Sequence, residues 1–344
     1  MNFTTGALAQ DRMPSVLVAL AAALLCAAMI ILLRPFLQRY ALARPNARSS
    51  HVMPTPQGAG IAVIVATIAA VSIFSGLANL AFPATLFVAT VFIALVGFVD
   101  DVRPIPVLPR LLLQAAAVGA LVALAPVDLR IFPSCPLAVE RGLLWISGLW
   151  FVNLVNFMDG LDLMTVAEIV PVTAAMVLLG WHGQLSALPA LVAAALSGAM
   201  IGFAPFNRPV AKVFLGDVGS LPIGLLLGWC LLQLAWQGQL IASLLLPLYY
   251  LADATLTLLR RMIKGEEFWS AHRSHFYQRA TNNGFTVAQV IGRVFAVNVA
   301  LATLAVASVN VGPAAFKFLF LMAGVLLVTL VLHRFSAKRQ AVKA

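Results

Sequence analysis

The sequence predicts an all-α, polytopic membrane protein of about eleven transmembrane helices, with its N-terminus periplasmic and its reactive side chains at the cytoplasmic face. Three observations predict this. Of 344 residues, 62% are hydrophobic and 10% charged, whereas a soluble domain carries about 25% charge and could not hide so much apolar surface without aggregating. The apolar residues also fall into runs that approach the roughly 20 residues a span requires. Finally, the basic residues sort by loop.

The spans are expected near 14–33, 58–78, 83–99, 108–127, 141–156, 164–180, 185–204, 219–236, 239–258, 286–309 and 313–333. The fifth is the weakest, being short and holding Asn153 and Asn156. No pause between runs is long enough for a separate soluble unit, so residues 1–344 read as one integral-membrane domain with its motifs at about 45–285. The first run ends on Arg34 rather than on a small-residue cleavage site, so no cleavable signal is expected. Loops after odd-numbered spans, with the C-terminal tail, hold 18 of the 22 Lys and Arg. The positive-inside rule then places those loops in the cytoplasm. The net charge of +10 therefore reflects orientation and anionic ligands, and no nucleic-acid partner is expected. Cys26, Cys135 and Cys230 lie far apart and read as packing residues.

Five cytoplasmic stretches carry chemistry. RSSHVMPTPQGAG, 48–60, is a rigid turn in which Arg48 and His51 either hold a phosphate or contact lipid headgroups. GFVDDVRPIP puts Asp100 and Asp101 where the third span ends, a stop that Pro104 enforces. Adjacent carboxylates raise one another's pKa or share a cation, and Mg²⁺ bridges carboxylates to phosphates. NLVNFMDGLDLMTVAE, 153–168, repeats Asn153, Asn156, Asp159 and Asp162 every three residues, which sets the first three near one helix face. NRPVAKVFLGDVGS, 207–220, offers Asp217 as a third carboxylate, Phe214 as a base-stacking or interfacial aromatic, and the start of the eighth span as a source of unpaired N–H groups for phosphate. EEFWSAHRSHFYQRA, 266–280, clusters His272, Arg273, His275, Tyr277 and Arg279; Arg binds phosphate bidentately, and His donates a proton or a hydrogen bond.

The order of these motifs resembles that of the polyprenyl-phosphate N-acetylhexosamine-1-phosphate transferases, in the branch that initiates O-antigen. The resemblance implies transfer of a sugar 1-phosphate from a UDP-N-acetyl amino sugar to undecaprenyl phosphate, with release of UMP, in the bacterial inner membrane and with Mg²⁺ (or Mn²⁺) as cofactor. It implies Asp217, Asp100 and Asn156 as metal ligands and Asp100, Asp101, Asp159, Asp162, His272 and His275 as catalytic groups. Arg48, His51, Asn153, Asn156, Phe214, Arg273, Tyr277 and Arg279 become substrate-binding candidates. Two departures stand out: Leu163 replaces the second glycine of the family's DGxDGL, and Gln57 and Ala59 replace an Arg and a Gly in the early loop. Membrane lipid is an obligate neighbour, and a homodimer is left open because no dimer motif decides it. The competing readings are a secondary transporter, which would show internal repeats and mid-span acids, and an inactive relative acting as an assembly scaffold.

Overall fold

The computed structural model describes residues 5–43, 54–267 and 273–338. The candidates Arg48, His51 and His272 lie outside these residues. The chain is an all-α polytopic membrane protein. Its α-helices are α1 (Thr5–Tyr40), α2 (Gly60–Leu77), α3 (Ala84–Val102), α4 (Val107–Ala123), α5 (Leu137–Met158), α6 (Met164–Trp181) and α7 (Ala187–Phe203). They continue with α8 (Asp217–Trp236), α9 (Leu240–Leu245), α10 (Leu248–Ile263), α11 (Phe276–Asn282), α12 (Val287–Val309) and α13 (Ala314–Ser336). Two-residue strands, β1 (Leu42–Ala43) and β2 (Thr55–Pro56), pair antiparallel and fasten the chain after α1 to the approach to α2.

Every expected span falls on helix. Among the described residues, nine helices are long and apolar enough to cross a membrane, and Val107–Ala123 is a shorter apolar helix. The fifth, weakest by sequence because of its asparagines, is a continuous 22-residue helix. The ninth is corrected: it breaks into α9 and α10 at Leu246–Pro247. Proline has no N–H to give and its ring collides with the preceding turn, so a continuous helix there is not available. After the break, α10 separates its apolar and polar residues onto two faces and runs on to Arg260 and Arg261 in its last turn.

Helices α7 and α8 are the most enclosed of the candidate spans. Without a hydrophobic drive between helices in lipid, close packing depends on small residues, and glycines occupy the tightest crossings. Gly198 and Gly202 of α7 lie on the Ala19 and Ala23 carbonyls of α1, and Gly97 of α3 lies on the Asp217–Val218 backbone. Gly60, at the start of α2, meets Gly219 in the first turn of α8. A methyl group at Gly60 would strike the backbone of α8 rather than a movable side chain. Gly60→Ala is therefore expected to cost about 1–3 kcal/mol of stability and to displace Asp217, read out as a lower unfolding temperature in detergent together with lower activity.

Candidate active site

Asp217 opens α8, and the elements around it meet at that helix start. The two adjacent aspartates of α3 divide their work. Asp101 turns to α8 and accepts the N–H groups of Asp217 (2.9 Å) and Val218 (3.0 Å), with a third hydrogen bond from the side chain of Gln57. A carboxylate there satisfies orphan donors and meets the positive end of the helix dipole. Gly216, at φ +76°, makes this approach feasible, since a Cβ on it would lie 2.5 Å from Asp101 Oδ2. One sequence expectation is thereby corrected: the first N–H groups of α8 are committed to Asp101 rather than open to phosphate.

Asp100 faces the other way. It accepts the Ile105 N–H (2.6 Å) and the Arg110 guanidinium (2.7 Å). The same Arg110 nitrogen lies 3.6 Å from Asp217 Oδ2, so Asp100 and Asp217, from α3 and α8, converge on one cation supplied by α4. On the far side, Asn156 donates to Asp217 Oδ1 (2.8 Å) and Ser220 Oγ (2.9 Å). Both amide hydrogens of Asn156 are thus spent on protein, which leaves its amide oxygen as the atom it can offer.

The turn after α5 is tied down at several points. Asp159 accepts a hydrogen bond from Thr165. Burial, with Asp101 and Asp162 as further negative neighbours, pushes the Asp159 carboxyl up to about 6 against the stabilising Thr165 hydroxyl. Asp162 accepts the Ala211 N–H (3.1 Å), and Leu163 N–H is held by Asn207 (2.6 Å), whose amide in turn binds the Val213 carbonyl (2.9 Å). Leu163 has φ +62°. This is the left-handed region, which costs a non-glycine residue on the order of 1–2 kcal/mol, so the family glycine missing here is missing where glycine fits best. The half-buried Leu163 side chain packs on the apolar core, which offsets part of that cost. Phe214 is half-buried; its backbone bridges to Gln57, accepting from Gly58 and Ala59 (3.2 and 3.0 Å) and donating to Pro56 (2.7 Å).

The fourth wall is α11. Tyr277 is fully buried and its hydroxyl binds the Phe157 carbonyl (3.1 Å). Gly160 is needed at this contact, because a side chain there would collide with that hydroxyl. The His275 ring stacks on Tyr277, with centroids 5.7 Å apart, and lies 6.4 Å from the Phe157 ring. Arg279 lies over Phe276 and has one buried guanidinium nitrogen with no hydrogen-bond partner among the described residues. Burial and the nearby Arg260 lower its pKa from the usual arginine value.

The structure thus brings together Asp100, Asp101, Asn156, Asp159, Asp162, Phe214 and Asp217, with His275 and Tyr277 against the 157–160 turn. Two substrate-binding candidates are corrected. Asn153 is buried and donates to Gln114 of α4 (2.7 Å) and to the Leu149 carbonyl (2.8 Å); it joins helices, as polar residues in spans commonly do. Tyr277 is enclosed by protein and braces the turn. Sequence reasoning passed over Arg110, Asn207 and Asp253, and met Gln57 only as a departure from the family pattern. The usable signals were a single Arg in the first turn of the apolar helix VLPRLLLQ and a single Asp within the run LYYLADATLTL.

Among the described residues, no group of three or more His, Cys, Asp or Glu is arranged to hold a metal by itself. Mg²⁺ is ordinarily held by one or two carboxylates plus waters and substrate phosphates. Asp100 and Asp217, closing on one guanidinium beside the Asn156 amide, form a hard-oxygen set of that kind.

Comparison with known proteins bears on the same segment. Residues 83–235, from the start of α3 to the end of α8, match the sequence profile of glycosyl transferase family 4. The chain is 28% identical over 293 residues to the decaprenyl-phosphate N-acetylglucosaminephosphotransferase of Mycobacterium tuberculosis strain H37Rv, covering 73% of this chain and 71% of that one. It is 25% identical over 317 residues to a probable undecaprenyl-phosphate N-acetylglucosaminyl 1-phosphate transferase of Bacillus subtilis strain 168, covering 84% and 85%. A shorter stretch of 83 residues, 24% of each chain, is 42% identical to the phospho-N-acetylmuramoyl-pentapeptide-transferase of Streptococcus pneumoniae strain Hungary19A-6. The profile match contains Asp100, Arg110, Asn156 and Asp217, so the segment that builds the site is the one similar to glycosyl transferase family 4, and the chain is similar along most of its length to polyprenyl-phosphate N-acetylglucosamine-1-phosphate transferases.

Proposed function

We propose that this protein transfers an N-acetylated amino-sugar 1-phosphate from a UDP-sugar to undecaprenyl phosphate, releasing UMP, at the cytoplasmic face of the bacterial inner membrane, and so initiates O-antigen or a related surface polysaccharide. Sugar-phosphate transfer to a polyprenyl phosphate is supported by the names of the relatives. The observation that carries the reading is the meeting of Asp100, Asp217, Asn156 and Arg110 where α3, α4, α5 and α8 end or begin. Carboxylates at helix ends serve a reaction at the membrane surface, where a lipid phosphate and a soluble donor meet.

Phosphoryl transfer asks for positioning and charge neutralisation more than covalent chemistry. The lipid phosphate oxygen attacks the β-phosphorus; the new O–P bond forms as the bond to the α-phosphate oxygen breaks, and UMP leaves with that oxygen and its charge. Arg110 and Arg279 offset the repulsion between the two anionic substrates, and the unpartnered nitrogen of Arg279 is a donor suited to a phosphate oxygen. Asp217, Asp100 and the Asn156 oxygen would hold Mg²⁺ or Mn²⁺, which when bound supplies neutralisation of the phosphates and of the departing UMP. With Asp101 engaged on α8, Asp100 is the aspartate of the pair available to orient the acceptor. Phe214 stacks on the uracil. Phe214→Leu is expected to raise the KM for the UDP-sugar about 5–50-fold, given roughly 1–3 kcal/mol per stacked base, whereas Phe214→Tyr leaves it nearly unchanged. Steady-state kinetics on the purified pair of variants checks this.

The reading is tested by incubating membranes expressing the chain with several radiolabelled UDP-amino sugars and undecaprenyl phosphate, then extracting lipid. Label in a diphosphate-linked lipid with one of these sugars is the expected result and names the sugar; no labelled lipid with any of them overturns the reading.

A further inference from the structure

Asp253 of α10 and Gln114 of α4 are polar side chains that are fully buried. Asp253 is satisfied: its carboxylate accepts the Phe276 and Tyr277 N–H groups at the start of α11 (2.9 and 3.1 Å). Gln114 is not. Its Oε1 accepts a hydrogen bond from Asn153 of α5 (2.7 Å), but its Nε2 has no hydrogen-bond partner among the described residues. A buried N–H left unmet costs more than one hydrogen bond returns. On balance Gln114 therefore destabilises the fold, where a methionine of similar length would pack without that penalty. Its place shows what it does instead. Within residues 107–116 of α4, Gln114 is the one buried residue. Farther along α4, Ala117, Val118 and Val122 join Ile93 of α3, Val152 of α5 and Leu221 and Leu225 of α8 in an apolar cluster. On the other side of Gln114, one turn back on the same helix face, is Arg110. Its guanidinium has to reach Asp100 (2.7 Å) and Asp217 (3.6 Å) together. On α5, Asn153 comes one turn before Asn156, which holds Asp217 from the opposite side (2.8 Å). The Gln114–Asn153 hydrogen bond thus lies one turn below both contacts to Asp217, and it is directional where apolar packing is not.

We propose that Gln114 is a positioning residue of this site: through Asn153 it fixes the height and rotation of α4 against α5, and so the reach of Arg110 to Asp100 and Asp217. A slide or turn of α4 would move the Arg110 contact and leave the Asn156 contact where it is. The proposal rests on the transferase reading, in which Arg110 offsets the repulsion between two anionic substrates. A displaced guanidinium then slows the reaction between the phosphates, a loss in kcat, more than it weakens retention of the UDP-sugar, a change in KM.

The test compares four full-length proteins in detergent: unsubstituted, Gln114→Met, Asn153→Leu, and the two substitutions combined. Asn153→Leu leaves the whole Gln114 amide unmet. Adding Gln114→Met to it is therefore expected to raise the unfolding midpoint by about 2–4 °C; a further fall overturns the pairing on which the proposal stands. In the combined variant both amides are gone and neither is left unmet, yet kcat is expected to be about 10–100-fold lower than in the unsubstituted protein, the scale of a catalytic group displaced by about an ångström. KM for the UDP-sugar is expected to stay within about threefold. Turnover near that of the unsubstituted protein overturns the proposal. A role in stability alone is separated by Arg110→Gln. In that background Gln114→Met is expected to change kcat by less than about twofold, because residues that act through one another are not additive; losses that multiply overturn the proposal. If the unsubstituted protein itself forms no lipid-linked sugar, the transferase reading falls and takes the role of Gln114 with it, whereas an active unsubstituted protein with an equally active combined variant refutes Gln114 alone.

Discussion

Asp217→Asn is expected to lower turnover about a thousandfold, roughly 4 kcal/mol of barrier, while leaving the protein folded. The separation follows from the geometry. The backbone N–H of Asp217 is held by Asp101, which does not depend on the Asp217 side chain, so the start of α8 stays in place. What changes is the carboxylate between Asn156 (2.8 Å) and Arg110 (3.6 Å). An amide there supplies one oxygen and no charge, and the opposition of Asp100 and Asp217 around a cation is lost. Turnover and thermal unfolding measured on the same detergent preparation check both halves. Turnover near that of the unsubstituted protein would remove Asp217 from the chemistry.

Asp159→Asn is expected to act in opposite directions on stability and on activity. The Asp159 carboxyl sits at about 6, above its ordinary 3.8, chiefly through burial. A raised carboxyl contributes stability that is fully present below the ordinary value and is lost as pH rises through about 6. At pH near 8 the group is ionised at a cost on the order of 1–3 kcal/mol, since each tenfold in a proton-binding constant is worth about 1.4 kcal/mol. Asn removes that cost and still accepts the Thr165 hydroxyl, so the variant should unfold at higher temperature than the unsubstituted protein near pH 8. The gain should disappear near pH 4. Activity should fall at least about tenfold, since a charge held at the expense of stability is characteristic of functional sites. For the same reason, activity of the unsubstituted protein should decline as pH falls through about 6. Unfolding curves at both pH values and a pH–rate profile check these outcomes; equal stability of the two proteins near pH 8 would contradict the first.

The membrane helices were legible in the sequence because apolar run length is a local property. Even the doubtful fifth span followed from it, its asparagines being satisfied by Gln114, Asp217 and Ser220 rather than by solvent. The break in the ninth was also visible, as Pro247, but a hydropathy reading averages over one residue. The site was legible as a series of motifs and not as a set of contacts. Period-three spacing put Asn153, Asn156 and Asp159 near one face, but three residues still rotate a side chain by about 60°, enough to send Asn153 to α4 while Asn156 reaches α8. The split between Asp100 and Asp101 depends on where α8 begins in space, which no local pattern encodes. Arg110 and Asp253 were missed because each is a single charge in an apolar helix, and only the fold shows what it faces. The Leu163 departure became interpretable only with its backbone angle.

Sugar-phosphate transfer around a divalent ion is tested most sharply by a radioactive phosphorus in the β position of the UDP-amino sugar, with purified protein, undecaprenyl phosphate, and divalent ion either present or chelated. The label is expected to enter the lipid phase in step with UMP release, only when the divalent ion is present, and not with Asp217→Asn. Label that stays in the aqueous nucleotide while sugar reaches the lipid, or transfer that persists under chelation, would contradict this chemistry.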